Sequence, residues 1–189
     1  MKKYKDSIKT VAVLAIIALV SGLLLSYINQ ITYVDPDEQV LAKINEVYPQ
    51  EIEKIIDLSL FKDTQDSQIL YAFLMKDGAY SIISHSKSAY SSYGLDMLII
   101  FKDGKIDCLL PYHSEETPGI GSKALEEHYL DKYIGLDVTT YAQTQIGTAG
   151  AGNTKAIDAY SGATKSALGI SNAVNGAIYF YRQVKGLEG

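Results

Sequence analysis

"LDMLIIFKDGKIDCLLPYH", residues 95–113, places two apolar runs on either side of Asp103-Gly104. An Asp-Gly pair between two such runs is a strong hairpin signal, because tight hairpin turns need backbone angles that glycine adopts readily. The preceding stretch, residues 68–87, repeats the pattern around Asp77-Gly78. Together the two stretches predict at least four strands, largely antiparallel, in the middle of the chain.

Helical patterns flank these strands. Residues 35–50 predict a short helix that Asp35 or Asp37 caps and Pro49 stops. Residues 122–136, "SKALEEHYLDKYIGL", predict an amphipathic helix.

Residues 146–156 are rich in Gly, Ala and Thr and predict a loop. A long helix is predicted from about Ala163 to Val184. One apolar stripe on this helix is expected to pack on the sheet. The stripe contains Ile170, Val174, Ala177, Ile178, Tyr181 and Val184. Strands followed by helices, without regular alternation, predict an α+β domain whose sheet is packed by helices.

The N-terminal segment, residues 10–34, contains no charged residue. About 20 apolar residues suffice for a helix to cross a bilayer. Lysines precede the segment and acids follow it, so the positive-inside rule keeps the N-terminus in the cytoplasm. These features predict a cytoplasmic stretch at 1–9, a transmembrane helix at 10–34 and an extracytoplasmic domain at 35–189, at a bacterial or archaeal plasma membrane.

Two other interpretations of this segment fit less well. A cleaved signal peptide has a shorter apolar region ending in small residues, whereas this one runs into residues 26–30, "SYINQ", with no Ala-x-Ala pattern and no following cysteine. A buried core helix fits poorly with such a length free of charge.

Charge and cysteine content exclude several classes of function. The first ten residues carry four lysines and one aspartate, a net +3, which leaves −8 on the rest of a chain whose total is −5. An acidic main domain argues against a nucleic-acid partner. The single cysteine, Cys108, cannot form an intramolecular disulfide or a multi-cysteine metal site, and its apolar run predicts a buried strand cysteine.

"SGATKSALGI", residues 161–170, opens the last helix with three hydroxyls in six residues. Ser161 is the natural cap. At 100° per residue, Ser166 falls at the edge of the apolar stripe, between protein and solvent, whereas Lys165 points outwards and Thr164 sideways. A helix N-terminus favours phosphate, and Gly162 with Ala163 leaves room for one. Taken alone, the stretch is better explained as cap and turn residues.

"HSEETPGIG", residues 113–121, follows the fourth predicted strand. Pro118-Gly119 predicts a tight turn, and Glu116 and Thr117 offer polar groups beside open N–H groups. Such a loop suits a planar polar ligand, although a plain connection explains it too. His113 is interpreted as a surface histidine, since no nucleophile or metal-ligand partner is recognisable beside it.

The two stretches together resemble the FMN-binding domain family, which includes the G subunit of the Rnf ion-translocating electron-transport complex and the C subunit of the sodium-pumping NADH:quinone reductase. "SGATKS", residues 161–166, matches one family hallmark, and "ETPGIG", residues 116–121, matches the other. Asp158 lies three residues before the first. The length is similar to the shorter Rnf G type.

The resemblance implies covalent FMN, held by a phosphoester on Ser166 and contacted by residues of both motifs. Those residues are Glu116, Thr117, Gly119, Gly121, Ser161, Gly162, Ala163 and Thr164. It implies an electron relay rather than a self-sufficient catalyst, with no metal, the other membrane subunits of an Rnf-type complex as partners, and a flavin transferase for maturation. A free-standing extracytoplasmic FMN carrier and a flavin-free membrane-anchored binding module stay open as alternatives.

Overall fold

The computed structural model describes residues 2–32, 36–147 and 149–187. The chain divides into two compact units, residues 1–49 and 50–189. In the first unit, α1 spans Lys2–Thr32 and α2 spans Pro36–Val47.

Helix α1 contains one segment suited to a membrane. Residues Val11–Thr32 have a mean hydropathy of 2.6 and are long and apolar enough to cross a bilayer. The helix is compatible with a single-pass membrane anchor. The predicted end of the span, at residues 33–34, lies outside the described residues.

Helix α2 confirms the short helix predicted over 35–50. The helix begins at Pro36, so Asp37 lies within its first turn. Asp37 is therefore not the cap, and Asp35 lies outside the described residues. Proline is common at this first position, since its missing N–H would have no partner within the helix.

The second unit contains a five-stranded sheet in which each strand is antiparallel to the next along the chain. The strands are β1 (Ile52–Ile55), β2 (Ser67–Met75), β3 (Tyr80–Ser86), β4 (Leu95–Lys102) and β5 (Lys105–Ser114). Strands β2–β5 confirm the prediction. The sequence pattern does not predict β1, because four residues are too few to show a period of two. A short 3₁₀ turn, Leu58–Leu60, follows β1, and Asp57 caps it.

Both Asp-Gly pairs form the predicted turns, with different geometry. Asp103 and Gly104 both have positive φ, +50° and +78°, as a two-residue type I′ hairpin requires. In the other turn only Gly78 has positive φ, and Asp77 Oδ1 accepts the N–H of Ala79 at 3.1 Å.

Helix α4, Thr164–Lys185, packs on one face of the sheet against β2, β3 and β4. The predicted stripe is buried from Ile170 to Tyr181, and Val184 is partly buried against the same core. Alternate residues of β4 supply the facing side of the core, as the two-residue period of a strand dictates. They are Leu95, Met97, Ile99 and Phe101.

The single helix predicted over residues 122–136 is wrong. The chain instead forms a 3₁₀ turn (Gly121–Leu125), the short helix α3 (Glu127–Leu130) and another 3₁₀ turn (Asp131–Tyr133), with Glu126 extended between the first two. A continuous helix would place Ala124 about 180° from Tyr133, yet both side chains are buried. The break at Glu126 lets both face the core.

The loop predicted over residues 146–156 is only partly confirmed. Its two ends belong to β6 (Gln143–Ile146) and β7 (Thr154–Ile157), which form a separate two-stranded parallel sheet. Asn175 of α4 holds β6: its Oδ1 accepts the N–H of Thr144 at 2.6 Å, and its Nδ2 donates to the Thr144 carbonyl at 2.9 Å. The pairing of β6 with β7 depends on α4. Both strands are short and polar, so their sequences show no two-residue period. Thr148 lies outside the described residues.

Cys108 lies on β5, as predicted, and is half-buried rather than fully buried. Burial, with a smaller contribution from the Asp107 carboxylate, raises the pKa of its thiol. Because the thiolate is the nucleophilic form, this cysteine is a poor nucleophile.

Candidate functional site

A cavity of about 400 Å³ lies where the start of α4 meets the loop after β5. The loop between β3 and β4 contributes a third wall. The lining residues are Tyr90, Thr117, Ile120, Gly121, Gly162, Ala163, Thr164, Lys165 and Ser166. The two stretches 113–121 and 161–170, which are far apart in the chain, therefore meet at one cavity.

Ser166 lies in the first turn of α4. The residue is 1% exposed, and its Oγ donates a hydrogen bond to Oε2 of Glu116 at 2.7 Å. The predicted position of Ser166 at the boundary with solvent is wrong, because the loop after β5 covers this edge of the helix. Lys165 is exposed, as the helical wheel predicts.

Glu116 connects two walls of the cavity. Its Oε2 accepts the Ser166 hydroxyl, while its Oε1 accepts the backbone N–H groups of Tyr90 at 2.9 Å and Ser91 at 3.2 Å. The residue is 7% exposed. Within the described part of the chain, no lysine or arginine forms an ion pair with it. A buried carboxylate is thus satisfied by three neutral donors, which orient it rigidly towards Ser166.

Gly121 makes the approach of Glu116 to Ser166 possible. A Cβ atom on this residue would overlap Glu116 Oε2 and would lie 2.9 Å from Ser166 Oγ. Any side chain at position 121 must therefore push one of these two groups away. Close approach, rather than an unusual backbone angle, explains the glycine here.

Hydrogen bonds within the chain stabilise the turn of this loop. The Thr117 carbonyl accepts the N–H groups of Ile120 and Ser122, both at 3.2 Å, and Ser122 Oγ accepts the N–H of Gly119 at 2.9 Å. Gly119, with φ of +74°, shapes the turn. Thr117 and Ile120 thereby reach the cavity as parts of a fixed loop.

The start of α4 lacks the predicted cap. The N-cap residue is Ala163, whose methyl side chain accepts no hydrogen bond, and the carbonyl of Ala163 accepts the N–H of Ala167 at 2.9 Å. Ser161 lies two residues too early, in the turn that the Tyr160 carbonyl closes by accepting the Ala163 N–H at 3.0 Å. The first N–H groups of a helix have no intrahelical acceptor, so this end presents donors to the cavity.

The residues predicted to bind a cofactor fall into three groups. Six line the cavity: Thr117, Gly121, Gly162, Ala163, Thr164 and Ser166. Glu116 is not among the lining residues but accepts the hydroxyl of Ser166. Gly119 and Ser161 are not among the lining residues and belong to the turns that shape the two loops.

Three lining residues were not predicted: Tyr90, Ile120 and Lys165. Tyr90 is 65% exposed and Ile120 57% exposed, which leaves large apolar surfaces at the cavity open to solvent. The Lys165 ammonium lies 6.0 Å from the centroid of the Tyr90 ring. No motif or periodicity marks Tyr90, because its position depends on contacts made far along the chain.

Two such contacts position the loop that carries Tyr90. Glu116 holds the backbone at Tyr90 and Ser91, as described above. Gly169 of α4 lies against the Ser88 carbonyl, so closely that a Cβ atom at position 169 would overlap that oxygen. The helix and the loop after β5 therefore jointly determine this wall.

A polar cluster is formed by side chains of β3, β4 and β5 together with Tyr93 from the loop before β4. Asp96 is buried. Its Oδ2 accepts the Tyr93 hydroxyl at 2.7 Å, and its Oδ1 lies 2.7 Å from His85 Nδ1. The hydrogen bond to Asp96, then burial, raises the pKa of Tyr93 to about 12. His113 is exposed, as predicted, and its ring packs edge-on against Tyr93 at 4.9 Å. Among the described residues, no group of three or more His, Cys, Asp or Glu side chains could hold a metal ion.

One comparison with known proteins bears on this site. A family model described as FMN-binding domain matches residues 93–179. The match includes the loop after β5 and the first turn of α4, and it supports FMN as the cofactor. No curated protein matched the chain. An FMN-binding domain together with the apolar helix α1 fits a membrane-anchored flavoprotein.

The residues around the cavity fit such a cofactor. The uncapped start of α4 offers N–H donors of the kind that bind phosphate, and hydroxyls of Thr164 and Ser166 lie beside them. Tyr90 and Ile120 supply exposed apolar surface of the kind that contacts a planar ring.

Proposed function

We propose that this protein is the G-type subunit of an Rnf-type ion-translocating complex and carries FMN bound through a phosphoester to Ser166. When bound, FMN supplies one-electron and two-electron redox chemistry. The protein holds the flavin outside the membrane and relays electrons between neighbouring membrane subunits. A single membrane-spanning helix cannot enclose an ion pathway, so ion movement belongs to other subunits.

The observation that carries this proposal is the meeting of the two motifs at one cavity. Ser166 Oγ and Glu116 Oε2 lie 2.7 Å apart although fifty residues separate them in the chain. A simple helix start would not need a carboxylate brought in from a distant loop. The Ser166 hydroxyl also lines the cavity, beside the helix N-terminus that favours a phosphate.

The exposed side chains at the cavity support the binding of a planar ring. Tyr90 and Ile120 expose more than half of their surface there. Burial of such surface against a ring stabilises a complex by about 25 cal/mol per Å². Tyr90 is the aromatic residue of the lining, and we assign to it the contact with the isoalloxazine ring.

The orientation of the protein follows from the charges around α1. Lys2, Lys3, Lys5 and Lys9 precede the apolar segment, which places the N-terminus in the cytoplasm. The domain at 35–189 then lies on the outer side of a bacterial or archaeal plasma membrane. A covalent tether prevents loss of the cofactor in this location.

The proposal is tested by flavin fluorescence of denatured protein. The full-length chain is co-expressed with a flavin transferase and run on a denaturing gel under ultraviolet light. We expect yellow-green fluorescence for the wild type, none for Ser166→Ala, and undiminished fluorescence for the control Thr164→Ala, because covalent flavin survives denaturation and noncovalent flavin does not. Intact mass should show one added FMN.

Each alternative predicts a distinct result. A dark wild-type band refutes the covalent flavoprotein and favours the flavin-free binding module. A fluorescent Ser166→Ala moves the attachment to another hydroxyl, Thr164 first. Co-purification of the loaded protein with other membrane subunits supports the Rnf-type complex, whereas isolation of loaded protein alone favours a free-standing carrier.

A further inference from the structure

We propose that Glu116 is the proton acceptor for Ser166 when its hydroxyl oxygen is esterified by flavin phosphate. This inference rests on the proposed function and concerns how the attachment reaction proceeds on this chain. It gives Glu116 a chemical role beyond contact with the cofactor.

The geometry suits proton transfer. Ser166 Oγ donates to Glu116 Oε2 at 2.7 Å, and both residues are buried. A serine hydroxyl is a weak nucleophile unless an adjacent base takes its proton, and a base must lie within about 2.6–3.2 Å of the oxygen that it deprotonates. Glu116 satisfies this condition.

The other titratable residues of the cavity are less suited to this role. Tyr90 and Lys165 also line the cavity, but the Ser166 hydroxyl donates its hydrogen bond to Glu116. The hydrogen bonds from Tyr90 and Ser91 hold Glu116 Oε1 in place. Oε2, which accepts the Ser166 hydroxyl, is therefore the oxygen placed to take its proton.

The reaction is a phosphoryl transfer without a change in oxidation state. The donor that we infer is a flavin dinucleotide, whose phosphoanhydride provides a leaving group. The bond from Ser166 Oγ to phosphorus forms, and the bond from phosphorus to the bridging anhydride oxygen breaks. The departing nucleotide phosphate keeps the electron pair, and the hydroxyl proton moves to Glu116 Oε2.

The same carboxylate affects which form of FMN the cavity holds. Before reaction, the negative charge of Glu116 lies beside the position of the phosphate, and like charges in a poorly solvated site repel. Free FMN should consequently bind weakly. Transfer of the hydroxyl proton to Glu116 relieves this repulsion while the phosphoester bond forms.

The test uses the full-length unloaded chain in detergent, a purified flavin transferase and flavin dinucleotide. Initial rates of FMN attachment are followed by intact mass from pH 5 to 9. Glu116→Gln retains an amide oxygen for the N–H groups of Tyr90 and Ser91 but is a far weaker base. We expect its rate to fall about 100-fold or more and to rise more steeply with pH than the wild-type rate, because hydroxide from solvent must then take the hydroxyl proton. The matched control is Glu115→Gln, an exposed neighbour, which should react like the wild type.

Reversible binding of free FMN provides a second readout that separates a chemical role from a structural one. We expect Glu116→Gln to bind free FMN more tightly than the unloaded wild type in a flavin-fluorescence titration. A variant that attaches FMN at the wild-type rate overturns the inference and leaves the covalent flavoprotein intact. A variant that loses both attachment and reversible binding shows a structural role and also overturns it. A wild type that accepts no flavin refutes the proposed function itself.

Discussion

At its C-terminal end, α4 stops at Gly186, whose N–H donates to the Gln183 carbonyl at 3.1 Å, while the Leu187 N–H donates to the Arg182 carbonyl at 2.9 Å. At its N-terminal end, Ala163 offers no side-chain acceptor to the first N–H groups. One end of the helix is completed by the protein itself, as a Schellman motif does, and the other faces a cavity. The N-terminal end therefore offers N–H groups that an anionic ligand can cap as a side chain otherwise would.

Arg182 extends the closure of the C-terminal end. Its guanidinium donates to the carbonyls of Val138 at 2.8 Å, Thr139 at 3.0 Å and Leu187 at 2.9 Å. A fork of donors suits such a set of carbonyls, and a cation near a helix C-terminus is favoured by the helix dipole. We call the C-terminal end of α4 its closed end, and the N-terminal end with the facing residues Glu116 and Gly121 its open end. Substitutions at the closed end should therefore change the free energy of unfolding, and those at the open end should change flavin loading.

The largest effect is expected for Gly121→Ala at the open end. The new methyl group must displace Glu116 or Ser166, since a Cβ atom would overlap Glu116 Oε2. We expect flavin loading to fall at least tenfold, by gel fluorescence. The free energy of unfolding should fall by about 3 kcal/mol, in urea titrations, because a buried charged hydrogen bond is lost.

The control is Gly135→Ala, at a residue with φ of +76° and nothing within 4 Å of its Cβ position. This variant carries backbone strain of about 1 kcal/mol but does not disturb the cavity, so its loading should match the wild type. Normal loading of Gly121→Ala would contradict the close approach described here.

An intermediate effect is expected for Arg182→Ala at the closed end. Loss of the guanidinium leaves three carbonyls without this donor, and we expect the free energy of unfolding to fall by about 2 kcal/mol. Flavin loading at saturating transferase should not change, since Ser166 lies at the other end of the helix. Chemical denaturation and gel fluorescence measure the two quantities on the same samples.

Arg182→Lys sharpens this prediction. Lysine retains the charge but not the planar fork, so its stability should lie between those of the wild type and Arg182→Ala. Equal stabilities of the lysine and alanine variants would show that the charge contributes nothing. Reduced loading in either variant would contradict the separation of the two ends.

The smallest effect is expected for Gly186→Ala. Gly186 has φ of +65°, and an alanine in this left-handed conformation costs about 1 kcal/mol. Gly186→Asn should cost less, because asparagine tolerates this region better. Thermal or urea unfolding measures both.

Combining the two ends in Gly121→Ala/Gly186→Ala extends the comparison. The sites are far apart and share no partner, so their unfolding free energies should add to within about 0.5 kcal/mol. A larger discrepancy would mean that the two ends are coupled through α4.

The parts of this fold that the sequence predicts are those governed by local rules. Asp103-Gly104 takes positive φ at both positions because the turn type demands it. The stripe from Ile170 to Tyr181 is buried because a 3.6-residue period brings its members to one face of the helix. Both inferences depend only on neighbours along the chain.

The predictions that were wrong concern features that depend on residues far apart in the chain. Ala124 and Tyr133 are both buried in the core because Glu126 is extended. This break in the helix depends on packing against the rest of the domain and not on the local sequence. Ser161 has the right chemistry for a cap but lies two residues before the helix start. Strands β6 and β7 pair next to α4, which holds β6 through Asn175. No local sequence pattern indicates this contact.

The candidate site divides in the same way. The sequence by itself determined which residue types are available: a serine in the first turn of a helix, a glutamate after a strand, and an apolar segment long enough to span a membrane. Only the tertiary structure decided that Glu116 lies 2.7 Å from Ser166, that Gly121 leaves room for this contact and that Tyr90 faces the same cavity. Residue chemistry is a property of each position, whereas distance between residues far apart in the chain exists only once the sheet and α4 have packed together.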